Sequence, residues 1–148
     1  MDNMLIQVSG TKKVVFFEPN DVDKLYMNGD KSEILEIENP DYEKYPLFLN
    51  IKKYECLLAP GDVLFIPALW FHNVLAINFS ISVNVFWKHL DDCFYEKKDL
   101  YGNKDLVQAT KAFQSTDKCI KELNLLPKVY RNFYLKRVIE IYKQNLNK

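Results

Sequence analysis

Up to Trp87 the chain is a succession of short β-prone runs, each closed within a few residues by glycine, proline or asparagine. MLIQVSG (4–10) and KKVVFF (12–17) meet at Gly10, which reads as a hairpin or tight turn. YECLLAP (54–60) runs into Pro60-Gly61, a type II turn signal. DVLFIP, WFHNVL and SISVNVFW then follow as three more strands. Between the early and late runs, DVDKLYMNGD (21–30) reads as a helical turn closed by Asn28-Gly29, and EILEIE (33–38) alternates until Asn39-Pro40 stops it. DYEKYPLFLN reads as a loop with buried aromatics. Many short strands punctuated in this way fold as a β-sandwich or barrel. With 148 residues, 48% hydrophobic and 14% aromatic, there is enough apolar material for one real core, so disorder is excluded.

The periodicity changes near residue 100. In KDLVQATKAFQSTDKCIKEL (104–123), Leu106, Ala109, Phe113, Ile120 and Leu123 fall at helical spacing. Asn124 to Leu126 make a break, and Pro127 suits the first turn of a second helix. There Tyr130, Phe133, Tyr134, Val138 and Ile141 form an apolar stripe flanked by Lys128, Arg131, Lys136, Arg137 and Lys143. So many aromatics exceed what a self-packed helix pair needs, and the stripe is expected to pack on the sheet or on a second subunit. The reading is thus a β portion over 1–100 and a helical tail over 101–148, without internal repeats.

Charge follows the same division. Residues 1–100 hold 10 Lys and Arg against 16 Asp and Glu, and residues 101–148 hold 10 against 4. A basic tail suits a polyanion such as RNA, the acidic half of another copy, or plain solvation. Cys56, Cys93 and Cys119 are widely spaced and odd in number, which suits reduced thiols better than a disulfide framework or a zinc site. No apolar run reaches membrane-spanning length and the start lacks a basic-then-apolar signal. An intracellular, cytoplasmic setting with no membrane and no DNA partner is therefore expected.

The chemistry concentrates around His72. Strand alternation puts Trp70, His72 and Val74 on one face of WFHNVL, and Ser82, Asn84 and Phe86 on one face of SISVNVFW. A histidine and an asparagine on neighbouring strands of a small barrel suggest a polar lumen. Alone, such a histidine is more often a hydrogen-bonded core or rim residue than a ligand, and Lys12 alone reads as a solvated turn lysine.

The stretch GDVLFIPALWFHNV (61–74) resembles the late strands of the cupin-like JmjC hydroxylases, in which a Gly-Asp turn, an apolar strand, a proline and an aromatic pair precede the distal iron-binding histidine. The matching position is His72. VNVFWK (83–88) is similar to that family's closing strand, with Asn84 facing the site and Trp87 packing nearby. NMLIQVSGTKKVVFF (3–17) resembles the strand-turn-strand that carries the cosubstrate groups, so the resemblance implies that Lys12 pairs with the distal carboxylate of 2-oxoglutarate and that Asn3 helps to bind it. The implied fold is a mainly β double-stranded β-helix, a cupin-like jelly roll, followed by C-terminal α-helices. The implied cofactors are Fe(II) and 2-oxoglutarate. Two histidines and a carboxylate hold iron in such oxygenases and leave positions open for keto acid and O₂.

A closer likeness runs through MDNMLIQVSGTKKVVFF, NPDYEKYPLF, YECLLAPGDVLFIPALWFHNV, VNVFWKHL and YGNKD. It points to the branch of the family that hydroxylates the wybutosine side chain of tRNA(Phe). That branch implies tRNA(Phe) as partner, a homodimer through the C-terminal helices and a basic surface for the RNA. One departure stands out. The family's iron motif begins with His-x-Asp just before the first strand, and this chain has only His72 and His89. The resemblance therefore implies a jelly roll incomplete at its N-terminus, a shortened form with one metal ligand of three and impaired catalysis. His89-Leu90-Asp91 is formally His-x-Asp, but it sits after the distal histidine at a strand exit and reads as structural. The competing readings are a protein asparaginyl hydroxylase of the same fold, a non-catalytic dimerising module, and a metal-free cupin that binds a small molecule.

Overall fold

The computed structural model describes residues 1–99 and 104–146, which fall into two compact units, Met1–His89 and Leu90–Lys148. The expected 100/101 boundary and the first three residues of YGNKD lie outside the described residues.

The first unit is built from β1 (Asp2–Ser9), β2 (Lys12–Phe17), the short hairpin β3 (Met27–Asn28) and β4 (Lys31–Ser32), β5 (Tyr54–Leu58), β6 (Val63–Ile66), β7 (Phe71–Ala76) and β8 (Ile81–Trp87). Two antiparallel three-stranded sheets result, in the orders β6-β1-β8 and β5-β2-β7. Each late connection carries the chain from one sheet to the other, so β5, β6, β7 and β8 alternate between them. This is the jelly-roll arrangement expected from the run of short strands.

Gly10 makes the first such crossing. It is a tight corner at φ +72°, not a hairpin, because β1 and β2 belong to different sheets. Only glycine fits there: a Cβ would lie 2.2 Å from the Phe79 carbonyl oxygen, in the turn that joins β7 to β8.

Alternation on β2 builds two cores at once. Val14 and Phe16 point between the sheets and pack with Leu5 of β1, Ile66 of β6 and Leu58 of β5. Val15 and Phe17 point outward and are roofed by Leu25, Ile34, Tyr45 and Phe48 from the long excursion between β2 and β5. That excursion differs from its sequence reading. Residues 21–30 hold the end of a 3-10 turn (Pro19–Lys24) and then strand β3, and EILEIE forms no strand. Ile34 is buried in the roof and Ile37 packs beside it, so two of the three apolar residues of that run cover a sheet without extending one, while Leu35 stays exposed. A second 3-10 turn (Pro46–Asn50) delivers Phe48 into the same core.

The second unit contains α1 (Val107–Asn124) and α2 (Lys128–Leu146), close to the spans read from helical spacing. The Arg131 N–H donates to the Pro127 carbonyl at 3.0 Å, so Pro127 does sit at the helix entry. Hydroxyls of Thr116 and Tyr142 meet at 3.1 Å between the helices. No residue of either helix is fully buried, and Tyr130, Phe133 and Ile141 of the apolar stripe remain exposed. Among the described residues, no helix is long and apolar enough to cross a membrane.

Candidate functional site

The space between the two sheets has an apolar end and a polar end, and both follow from register. On β1 the luminal residues are Asn3, Leu5 and Gln7, all buried. Their cross-strand neighbours on β8 are Phe86, Asn84 and Ser82. The polar side chains of β1 and β8 therefore face one another: Asn3 Nδ2 donates to Asn84 Oδ1 at 3.1 Å, and Ser82 Oγ donates to Gln7 Oε1 at 3.0 Å. Gln7 Nε2 in turn donates to the carbonyls of Ser9 and Gly10 at 2.7 and 2.9 Å, which ties this row to the corner.

From the opposite sheet, Lys12 reaches across and its ammonium donates to Ser82 Oγ. It is half-buried, and among the described residues no carboxylate lies within ion-pair distance of it. An inward cation with only a hydroxyl for company is under-compensated, and an anionic ligand would complete it. Beside it, Asn3 Oδ1 is buried without a hydrogen-bond partner, an acceptor that a donor and not an anion would satisfy. Lys12, Asn3 and Asn84 thus share the polar part of the lumen.

His72 stands at the other end. Opposite Phe16 in the ladder, it shares the luminal face of the sheet. Its ring leans on Phe16 at 6.3 Å, Phe16 meets Trp70 edge-on at 6.4 Å, and Trp70 meets Tyr54 at 5.8 Å. The imidazole is exposed on β7, the outer strand of its sheet, and Nδ1 lies 3.1 Å from the Trp70 carbonyl. With the proton on Nδ1, that nitrogen donates to the carbonyl and the Nε2 lone pair is left for a ligand. His72 and Asn84 occupy consecutive strands but opposite sheets, so they look across the lumen instead of lying side by side.

Other candidates fall elsewhere. His89 Nδ1 lies 3.1 Å from Asp2 Oδ2, while Asp2 Oδ1 accepts the Ala68 N–H at 2.8 Å. The pair fastens the end of β8 to the start of β1. Trp87 stacks on Phe65 at 5.7 Å on the outer face, away from the lumen. Cys56 faces inward, and burial, helped by the charge on Asp62, pushes its thiol up, which leaves it a poor ligand. Among the described residues, no group of three His, Cys, Asp or Glu side chains could hold a metal ion.

Two residues of the polar row escaped the sequence reading as site members: Gln7, and Ser82 as the partner of Lys12. The signal was present, because polar residues at positions 3 and 7 of an otherwise apolar strand share one face.

Residues 1–93 match the family model of the cupin-like domain. The chain is 55% identical over 139 residues to tRNA wybutosine-synthesizing protein 5 of Gallus gallus and to that of Homo sapiens, covering 94% of this chain and 44% of each relative. It is 36% identical over 142 residues to tRNA wybutosine-synthesizing protein 4 of Gibberella zeae, 95% of this chain and 14% of that protein. The chain thus spans less than half the length of these relatives. With its first 93 residues matched and folded as two facing antiparallel sheets, it belongs to the cupin-like domain family.

Proposed function

We propose that this chain carries the cosubstrate-binding part of an Fe(II)- and 2-oxoglutarate-dependent hydroxylase acting on the wybutosine side chain of tRNA(Phe). The observation that carries this reading is Lys12, an inward ammonium bonded to Ser82 with no protein anion beside it among the described residues. The distal carboxylate of 2-oxoglutarate supplies that anion, and Asn3 and Asn84 lie in the same polar row to bind and orient the keto acid. The aromatic wall of Phe16, Trp70 and Tyr54 lines the apolar end. The chemistry that bound iron and keto acid supply in such enzymes is O₂-driven C–H hydroxylation, with 2-oxoglutarate leaving as succinate and CO₂.

The two groups fit this chain unequally. Toward 2-oxoglutarate, Lys12 offers one cation, and Asn3 and Asn84 offer amide groups. For iron, His72 offers one donor nitrogen, and the described residues offer no set of three. One imidazole does not by itself hold Fe(II) against water, so the remaining donors would have to come from outside the described residues.

The substrate part of the reading is supported by the names of the relatives and by the tail. Its helices expose Tyr130, Phe133 and Ile141 among Lys128, Arg131, Lys136 and Arg137. Such a surface suits both a homodimer seam and tRNA phosphates, and binding through it would weaken steeply with salt.

A titration tests the core claim. Saturable 2-oxoglutarate binding, followed by amide shifts of β1, β2 and β8, should be lost in Lys12→Ala and retained in part in Lys12→Arg. Binding that is indifferent to Lys12→Ala would sink the reading and favour a metal-free cupin with another ligand. Presenting unmodified peptide in place of tRNA to a hydroxylation assay of the longer relatives separates the tRNA reading from the asparaginyl one.

A further inference from the structure

Gln7 is 1% exposed, and every hydrogen-bonding group it carries has a partner. Its backbone N–H donates to the Asp62 carbonyl and its own carbonyl accepts the Gly61 N–H, both at 2.9 Å. Its Nε2 has two protons and faces two carbonyls, those of Ser9 and Gly10, so turning the amide over would set oxygen against oxygen. Oε1 is thereby left facing Ser82. An amide oxygen only accepts, so the Ser82 hydroxyl gives it its proton. What remains on Ser82 Oγ is lone pair, which is what the Lys12 ammonium, a donor only, requires. The sequence of donors and acceptors from the Gly10 corner to Lys12 therefore has one solution.

The backbone end of Lys12 is held as well. The Thr11 N–H donates to Asn78 Oδ1 at 2.8 Å, and the Thr11 carbonyl accepts the Ile77 N–H at 3.0 Å, so the chain entering β2 is tied to the turn between β7 and β8. A lysine is otherwise a point charge on a flexible stem, free to follow an anion. Held at both ends, this one stands at the level of Ser82, two residues along β8 from Asn84, or roughly 7 Å of strand. Asn84 is itself bonded to Asn3, so the polar row has two fixed stations. We propose that Gln7, acting through Ser82, is a positioning residue that pins the Lys12 ammonium and so sets the length of dicarboxylate the lumen accepts, an inference that rests on the 2-oxoglutarate reading above.

Gln7 touches no ligand in this role, so its burial is no obstacle. Two consequences follow for binding. A pinned cation has less freedom left to lose when an anion arrives, which favours the acid that fits. It also does not travel. An acid one methylene shorter leaves its distal carboxylate short of the ammonium, and an acid one methylene longer crowds it. If Gln7 served only to satisfy the Ser9 and Gly10 carbonyls, its Nε2 would suffice, and removing the Ser82 hydroxyl would not change which acid is preferred.

The experiment titrates the chain with 2-oxoglutarate, with oxaloacetate, one methylene shorter, and with 2-oxoadipate, one methylene longer, read by amide chemical shifts. The parent should prefer 2-oxoglutarate to each of the others by about ten-fold or more. Ser82→Ala should weaken 2-oxoglutarate roughly three- to ten-fold, the scale of one hydrogen bond, and bring the preference below about three-fold, because a released lysine follows each acid. Ser82→Thr keeps the hydroxyl and should keep the preference. Gln7→Leu should lose the preference as Ser82→Ala does, and combining the two should reduce it no further, since both break one relay. The side-chain ammonium signals of the ligand-free chain give a second readout: Lys12 should be restricted in the parent, and as mobile in Ser82→Ala as the exposed Lys31. Ser82→Ala decides the matter whether or not Gln7→Leu folds. 2-Oxoglutarate binding with no length preference in the parent, a preference unchanged in Ser82→Ala, or a Lys12 ammonium already as mobile as Lys31 in the parent would overturn the proposal and leave the cosubstrate reading standing. Failure of all three acids to bind, with Lys12 still restricted, would instead bring down the cosubstrate reading and the length gauge with it.

Discussion

The outer faces of the two sheets are made of the same kinds of residue and end in opposite states. On the β5-β2-β7 sheet, Val15 and Phe17 are covered by the chain's own excursion and belong to a buried core. On the β6-β1-β8 sheet, Phe65, Val83, Val85 and Trp87 stay exposed, stacked aromatic pair included. Both faces follow strict alternation, so local pattern does not distinguish them. The difference is whether some other part of the chain carries apolar residues to the face. It teaches that one sheet is finished by its own sequence, while the other presents a patch of the kind that marks an interaction surface.

A matched pair of truncations breaks or sharpens this contrast, and it carries the largest expected effect. Phe48→Ala removes a ring only 5% exposed from the roofed core and should destabilise the fold by about 3–5 kcal/mol, cavity term included. Phe65→Ala removes a ring already 49% exposed and should cost less than about 1 kcal/mol. Urea denaturation of both variants reads the difference. Equal losses would mean that the second face is covered in solution and that the contrast is false.

The corner between the sheets comes next. Gly10→Ala forces a side chain into a left-handed position and sets its Cβ against the Phe79 carbonyl, so a loss of roughly 2–3 kcal/mol is expected. Gly29→Ala has a similar φ but open space around it, and should cost about 1 kcal/mol. If the two variants unfold at the same denaturant concentration, the close approach at Gly10 carries no weight and only the backbone angle matters.

Much of this was legible in the residues. Period-two alternation grouped Trp70 with His72 on one face of WFHNVL, and Ser82 with Asn84 on one face of β8, and the strand registers turn both faces to the lumen. The helix spans followed from spacing and from Pro127. What stayed hidden was long-range. A glycine between two short strands does not say whether the second strand returns beside the first, and here β1 pairs with β6 and β8 while β2 pairs with β5 and β7. EILEIE has a strand's alternation, yet Ile34 serves the roof, because an apolar residue is satisfied by burial of either kind. Lys12 shows the same limit. Its sequence position allowed a solvated turn as easily as a lumen, and only the crossing at Gly10 turns it toward Ser82.

The smallest effect concerns how roof and sheet are held together at the surface. Lys13 of β2 bonds Glu38 of the excursion at 2.8 Å and Glu55 of β5 at 3.0 Å, and Lys53 bonds Glu55 at 2.5 Å. Hydrogen bonds from Lys53 first, and then from Lys13, hold the Glu55 carboxyl below its ordinary range. A carboxyl whose folded value is depressed stabilises the fold fully above its unfolded value, near pH 4.5, and loses that contribution as pH falls through the folded value. The bonds from Glu38, then from Glu55, raise Lys13, so its contribution holds below about pH 10.5 and fades only as pH rises through the higher folded value. Glu55→Gln should therefore lower stability slightly at neutral pH and converge with the parent below the folded pKa of Glu55, and added salt should shrink the gap because the cluster is exposed to solvent. The roofed face owes its order to Phe17 and Phe48 inside it, and these ion pairs only trim its edge. A gap that persists undiminished at high salt or in acid would reverse that ranking and make the bridge to Glu38 the latch of the roof.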